Sequence, residues 1–134
     1  TMFFGLYEDA TQRLRYANCG HNPALLLRDS GTIERLHSTN TVLGLFEKWE
    51  CIVAEIQLKP GDVLAIYTDG ITEAANPQGE EFGEERLIQL LQANKNLRPN
   101  ELVQKVMTGV QQFSPGEQGD DLTLVVCKEL SAQL

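Results

Sequence analysis

Hydrophobic positions change period once along the chain, at about Glu84. Before that point the apolar residues come in short runs broken by turn residues. Residues 2–8 and 12–18 read as two strands joined across Glu8–Thr11, with Leu14 and Tyr16 alternating against Arg13 and Arg15, which predicts a hairpin. A tight connection, Asn18–Pro23, leads into an apolar strand over Ala24–Leu27. The turn Asp29, Ser30, Gly31 then precedes a weaker strand over Thr32–Leu36. Cys51–Leu58 alternates, with Ile52, Ala54, Ile56 and Leu58 on one face and Glu55 and Gln57 on the other. Val63–Tyr67 is apolar on both faces, which predicts a central strand, and the short turn at Lys59–Asp62 predicts that these two strands are antiparallel neighbours.

From Glu84 the spacing becomes helical. Leu87, Ile88 and Leu91 form one apolar face, ended by Asn94–Asn96. A second helix opens at Pro99, where the missing N–H is harmless in the first turn, and runs to about Gln112. Its Leu102, Val103, Val106, Met107, Val110 and Phe113 suit packing on a sheet, and Gly109 weakens it by roughly 1 kcal/mol relative to alanine without breaking it. A loop then delivers Asp120 and Asp121 to a last strand, Leu122–Cys127. Mostly antiparallel strands followed by two consecutive helices predict an α+β layered domain spanning 1–134.

Composition narrows the function classes. A formal charge of -8 opposes attraction to nucleic acid or to an anionic membrane, so neither is expected as a partner. No apolar run is long enough to span a bilayer. Three scattered cysteines, Cys19, Cys51 and Cys127, read as reduced core or near-core residues of a cytoplasmic protein. The immediate entry of Thr1 into an apolar strand suggests a cut through a larger polypeptide.

Two acidic sites stand where apolar runs meet polar residues. Asp69 follows the central strand, between Thr68 and Gly70; Asp120 and Asp121 precede the last one. Thr-Asp-Gly is also a common turn signature, and an acidic pair also suits a solvated loop. Adjacent carboxylates repel one another, and a cation relieves that repulsion. Hard ions such as Mg²⁺ or Mn²⁺ favour carboxylates and water. His21 admits two readings, an acid or ligand and a loop residue bonded to nearby backbone. His37 has no supporting residues, and the spacing of His and Cys argues against zinc. No phosphate-binding GxxxxGK loop or serine elbow is present.

Three segments together, YANCGHNPALLL (Tyr16–Leu27), LKPGDVLAIYTDGITEAANPQGEEFG (Leu58–Gly83) and DDLTLVV (Asp120–Val126), resemble the PPM, or PP2C, family of metal-dependent serine/threonine phosphatases. The resemblance is to its bacterial sporulation and stress-response branch and covers nearly the whole chain. It implies a four-layer α-β-β-α sandwich of two antiparallel sheets, of which this chain is the C-terminal portion without the first strands. Asp69 and Asp120 would be metal ligands, with Gly70 and Asp121 beside them, and His21 and Asn22 would shape the sheet edge. The family's bridging acidic ligand, joined to a glycine, has no counterpart here. The resemblance further implies two Mn²⁺ or Mg²⁺ ions, a phosphorylated protein substrate such as an anti-sigma-factor antagonist, and a missing-strand edge that permits a homo-oligomer. Its alternatives are a noncatalytic interaction module of the same fold and an inactive fragment.

Overall fold

The computed structural model describes residues 1–116 and 119–130. Strands β1 (Met2–Glu8) and β2 (Arg13–Cys19) form the expected hairpin, in register from Met2 opposite Cys19 to Glu8 opposite Arg13. β3 (Ala24–Leu27), β4 (Ile33–Leu36), β5 (Ala54–Gln57) and β6 (Val63–Tyr67) follow. Next come a single-turn helix α1 (Asp69–Thr72), helices α2 (Gly83–Ala93) and α3 (Pro99–Phe113), and the last strand β7 (Leu124–Lys128). The strands make two antiparallel sheets, ordered β1-β2-β5 and β4-β3-β6-β7.

β6 is central, as its two apolar faces predict, but its neighbours are β3 and β7 rather than β5. The expected β5–β6 hairpin is wrong because the turn between them changes sheets, and β5 pairs with β2 instead. The reason is polarity. One face of β6 packs on the other sheet and its opposite face on the helices, so a strand beside it must be apolar on both sides. Glu55 and Gln57 need water, which the outer face of the first sheet provides.

Burial follows the same division. Leu14, Leu58, Ala24, Leu26, Leu36 and Leu64, with Phe3, Tyr16 and Ile56 against them, form the core between the sheets. Leu25, Leu27, Val63, Ala65 and Tyr67 point the other way, onto Leu87, Leu91, Leu102, Val106 and Val110 of the two long helices. Gly109 has a packing role that its helix propensity hides: a Cβ there would lie 2.6 Å from Leu90 Cδ1, so α2 and α3 touch closely at this point. Among the described residues all the long helices cover the β4-β3-β6-β7 sheet. The outer face of the β1-β2-β5 sheet leaves Phe4 and Leu6 exposed, at 59% and 57%. The layers present are therefore β-β-α, three of the four in the sandwich that the resemblance implies.

The cysteine expectation is corrected in two of three cases. Cys19 is buried, but Cys51 and Cys127 are exposed and all three are free thiols. Cys51 lies in the loop before β5. Cys127 is on the edge strand β7, facing an apolar cleft between the sheets that Phe3, Leu14 and Leu64 also line.

The turn that switches sheets is held by buried charge. Asp62, 2% exposed, accepts hydrogen bonds from Arg28 Nη1 (2.7 Å), Lys59 N (2.9 Å) and Asp29 N (3.1 Å). Arg28 also reaches Glu34 through two nitrogens and the Gln57 carbonyl, tying both sheets together. These carboxylates hold the guanidinium pKa above its usual value, Glu34 most strongly. This cluster lies at the Val63 end of β6, so the Tyr67 end is left for the acidic residues.

Candidate metal centre

At the Tyr67 end of β6 the chain turns through Thr68, whose extended backbone (φ -101°, ψ 162°) starts α1. Asp69 is the first residue of that helix, where a carboxylate opposes the helix dipole favourably. The sequence reading of Thr-Asp-Gly as a plain turn understates this: Ile71, fully buried, anchors a helical turn beneath Asp69.

Thr68 fastens α1 to the loop before β7. Its N–H donates to Thr123 O (3.2 Å), its hydroxyl donates to Asp121 O (3.3 Å), and it accepts from Thr123 N (3.2 Å). Gly70 permits the approach, because a Cβ there would lie 2.3 Å from Asp121 O and 3.0 Å from Asp121 C. Asp121 thus meets Gly70 and Thr68 through its backbone carbonyl. Asp120 Oδ1 accepts from Asp121 N (2.8 Å), which fixes the direction of the Asp120 side chain.

The third wall is the β2–β3 connection. Gly20 has a positive φ of 71°, which glycine adopts without strain. Fully buried Asn18 accepts His21 N–H at Oδ1 (2.9 Å) and donates Nδ2 to Leu36 O (3.2 Å), so a satisfied core amide shapes this loop. His21 Nε2 donates to Tyr67 O (3.0 Å), clasping the connection to the end of β6. That geometry agrees with the structural reading of His21. Asn22 Nδ2 donates to Asp69 Oδ1. Sequence reasoning assigned Asn22 only to the sheet edge and missed this contact; its signal was an amide side chain in a tight loop of the same motif.

Asp69 and Asp120, remote in sequence, thereby line one cavity of about 160 Å³ with Thr1, Gly20, His21, Asn22 and Thr68. Asp120 also borders a neighbouring cavity of about 460 Å³ lined by Gly70, Glu73, Ala74, Ala75, Ser114 and Gly119. Beneath the site, Tyr67 donates its hydroxyl to Glu84 Oε1 (2.8 Å), and Arg35 binds the other oxygen of Glu84 (2.6 Å). Burial, then the Glu84 contact, push the Tyr67 phenol well above its ordinary pKa, so it stays a neutral donor.

The donors suit a hard divalent cation. Two exposed carboxylates supply oxygen ligands, and the open cavity has room for the water that such ions retain. Among the described residues no three His, Cys, Asp or Glu side chains group into a metal site; the carboxylates that line this cavity are those of Asp69 and Asp120.

Comparison with known proteins agrees with the fold and extends the resemblance. The sequence model of the family described as Stage II sporulation protein E (SpoIIE) matches residues 1–129. Protein IcfG of Synechocystis is 32% identical over 127 residues, covering 93% of this chain and 20% of IcfG. Phosphoserine phosphatase RsbP of Bacillus subtilis is 33% identical over 102 residues, covering 76% of this chain and 24% of RsbP. The phosphatase domain of the cell fate determinant SpoIIE from B. subtilis, in a Mn-presoaked crystal, superposes with a TM-score of 0.77 at 20% identity; the match covers all of this chain and 58% of that one. The chain thus spans about a fifth to a quarter of these curated relatives and somewhat over half of that solved domain. With its two antiparallel sheets arranged as in PP2C-type phosphatase domains, the chain belongs to the SpoIIE family.

Proposed function

We propose that this chain is part of a metal-dependent phosphoprotein phosphatase that hydrolyses phosphoserine or phosphothreonine on a signalling protein, such as an anti-sigma-factor antagonist. The observation that carries the reading is the convergence of Asp69 and Asp120, remote in sequence, on one cavity at the shared end of two antiparallel strands, where Tyr67 of β6 pairs with Leu124 of β7. Support comes from the SpoIIE family match and from RsbP, a phosphoserine phosphatase by name.

Asp69 and Asp120 would hold Mn²⁺ or Mg²⁺, two ions in the complete centre. When bound, such ions supply Lewis acidity to the phosphoryl oxygens and a water of lowered pKa for in-line attack. The chain's own contribution is position. Thr68 and Gly70 hold the Asp120 loop against α1, and His21 fixes the opposite wall through Tyr67 O. The substrate segment would lie in the cavity beside Asp120 that Glu73, Ala74 and Gly119 border.

The test is phosphate release from a phosphoserine protein by the full-length protein in Mn²⁺. Asp69→Asn and Asp120→Asn should each abolish it, and near-wild-type turnover of either variant would end the assignment. A noncatalytic interaction module of the same fold is the second reading. Calorimetry separates the two, because a folded protein giving no Mn²⁺-dependent heat supports the module.

A further inference from the structure

We propose that Asn22 is a positioning residue for Asp69, holding its carboxylate so that one oxygen stays on the protein and the other faces the metal. The inference rests on the metal-centre reading given above.

Asp69 sits at an exposed helix start, where a free carboxylate samples several rotamers. The amide of Asn22 binds its Oδ1. Among the described residues Oδ2 receives no donor, and Asp120 shows the same division, with Oδ1 on the Asp121 amide. Each carboxylate is thus oriented by a neutral N–H rather than by a cationic side chain. A lysine or arginine in place of Asn22 would orient Asp69 equally well but would repel the cation.

Asn22 is itself fixed before any ligand arrives. Pro23 restricts its backbone to extended conformations. Buried Asn18 donates to its carbonyl (3.4 Å), and His21 beside it is clasped to Tyr67 O. A line of bonds therefore runs from the core amide of Asn18 through the β2–β3 connection to Asp69. Hydrogen-bond partners of metal-ligating carboxylates commonly change metal affinity by about 10–100-fold when removed.

The experiment is calorimetric titration of metal-free full-length protein with Mn²⁺, for the wild type, Asn22→Ala and Asp69→Asn, with a metal-free thermal melt of each. Asn22→Ala should weaken Mn²⁺ binding about 10–100-fold. A merely structural role would instead lower the melting temperature and leave Mn²⁺ affinity within twofold. That result, with binding lost in Asp69→Asn, overturns the positioning role and leaves the metal centre standing. Unchanged binding in Asp69→Asn removes the metal centre and the inference together. Should Asn22→Ala not fold, NMR of the wild-type Asn22 side-chain amide decides. Its shifted, slowly exchanging proton should persist from the metal-free to the Mg²⁺-loaded protein, and its loss on Mg²⁺ addition overturns the proposal.

Discussion

Gly70→Ala isolates the contact on which the convergence of the two aspartates depends. Gly70 lies in a helical turn, and alanine there would favour the helix by about 1 kcal/mol on propensity alone. The added Cβ, however, would stand 2.3 Å from the Asp121 carbonyl oxygen. A carbon and a carbonyl oxygen rest comfortably at about 3.3 Å, so the loop carrying Asp120 must retreat by about 1 Å. No flexible side chain can absorb the shift. The obstruction is backbone, held by the Thr68 hydroxyl and by the pairing of Thr68 with Thr123. Overpacking of this kind costs about 1–3 kcal/mol, so sterics outweigh propensity and the variant is modestly less stable. A displacement of about 1 Å in a reacting geometry costs on the order of 100-fold in rate. Initial rates of Mn²⁺-dependent phosphate release should therefore fall about 100-fold while circular dichroism shows a folded protein. Rates within threefold of wild type, with an unchanged melting temperature, would refute the reasoning.

Three further outcomes follow from the packing and charges. Asp62→Ala removes the buried acceptor shared by Lys59 N, Asp29 N and Arg28 at the sheet-switching turn, while Arg28 keeps Glu34, and should cost about 1–3 kcal/mol in urea denaturation, unchanged stability being contradictory; since Asp62 is at the other end of β6, activity well below the melting point should change little. Leu91→Ala opens a hole between the second sheet and the helices and should cost about 2–5 kcal/mol, read the same way. The Glu129 carboxylate, accepting the Tyr7 hydroxyl at 2.5 Å, helps push the Tyr7 pKa up to about 12. Because the folded value is raised, this contact contributes fully below pH 10 and is lost as pH rises toward 12; Glu129→Gln should return the Tyr7 phenolate transition toward 10, seen in the 295 nm absorbance.

The parts of the fold governed by local pattern were readable from the chain. The hairpin at residues 2–19, both long helices and the centrality of β6 follow from alternation, from Pro99 and from a doubly apolar run. What escaped was set by distant residues. The partner of β5 depends on which sheet face meets water, and a short turn at Lys59–Asp62 carries no sign that it crosses between layers. Cys127 lies in an apolar run yet faces an edge cleft, because exposure is decided by sheet order. At the site, Asp69 and Asp120 stood out as carboxylates beside apolar strands. The helical turn at Asp69 and the Asn22 contact depended instead on how α1 and the β2–β3 connection meet. Gly70 and Gly109 show the same limit: sequence records the missing side chain, and only the fold shows the carbonyl or leucine pressed against it.

The central claim is that the two aspartates share one divalent-cation centre. Anomalous diffraction at the manganese edge, from Mn²⁺-soaked crystals of the full-length protein, addresses it directly. Density between the carboxylates of Asp69 and Asp120, within coordination distance of both, is the expected result. A well-occupied manganese elsewhere, with neither aspartate in contact, would contradict it.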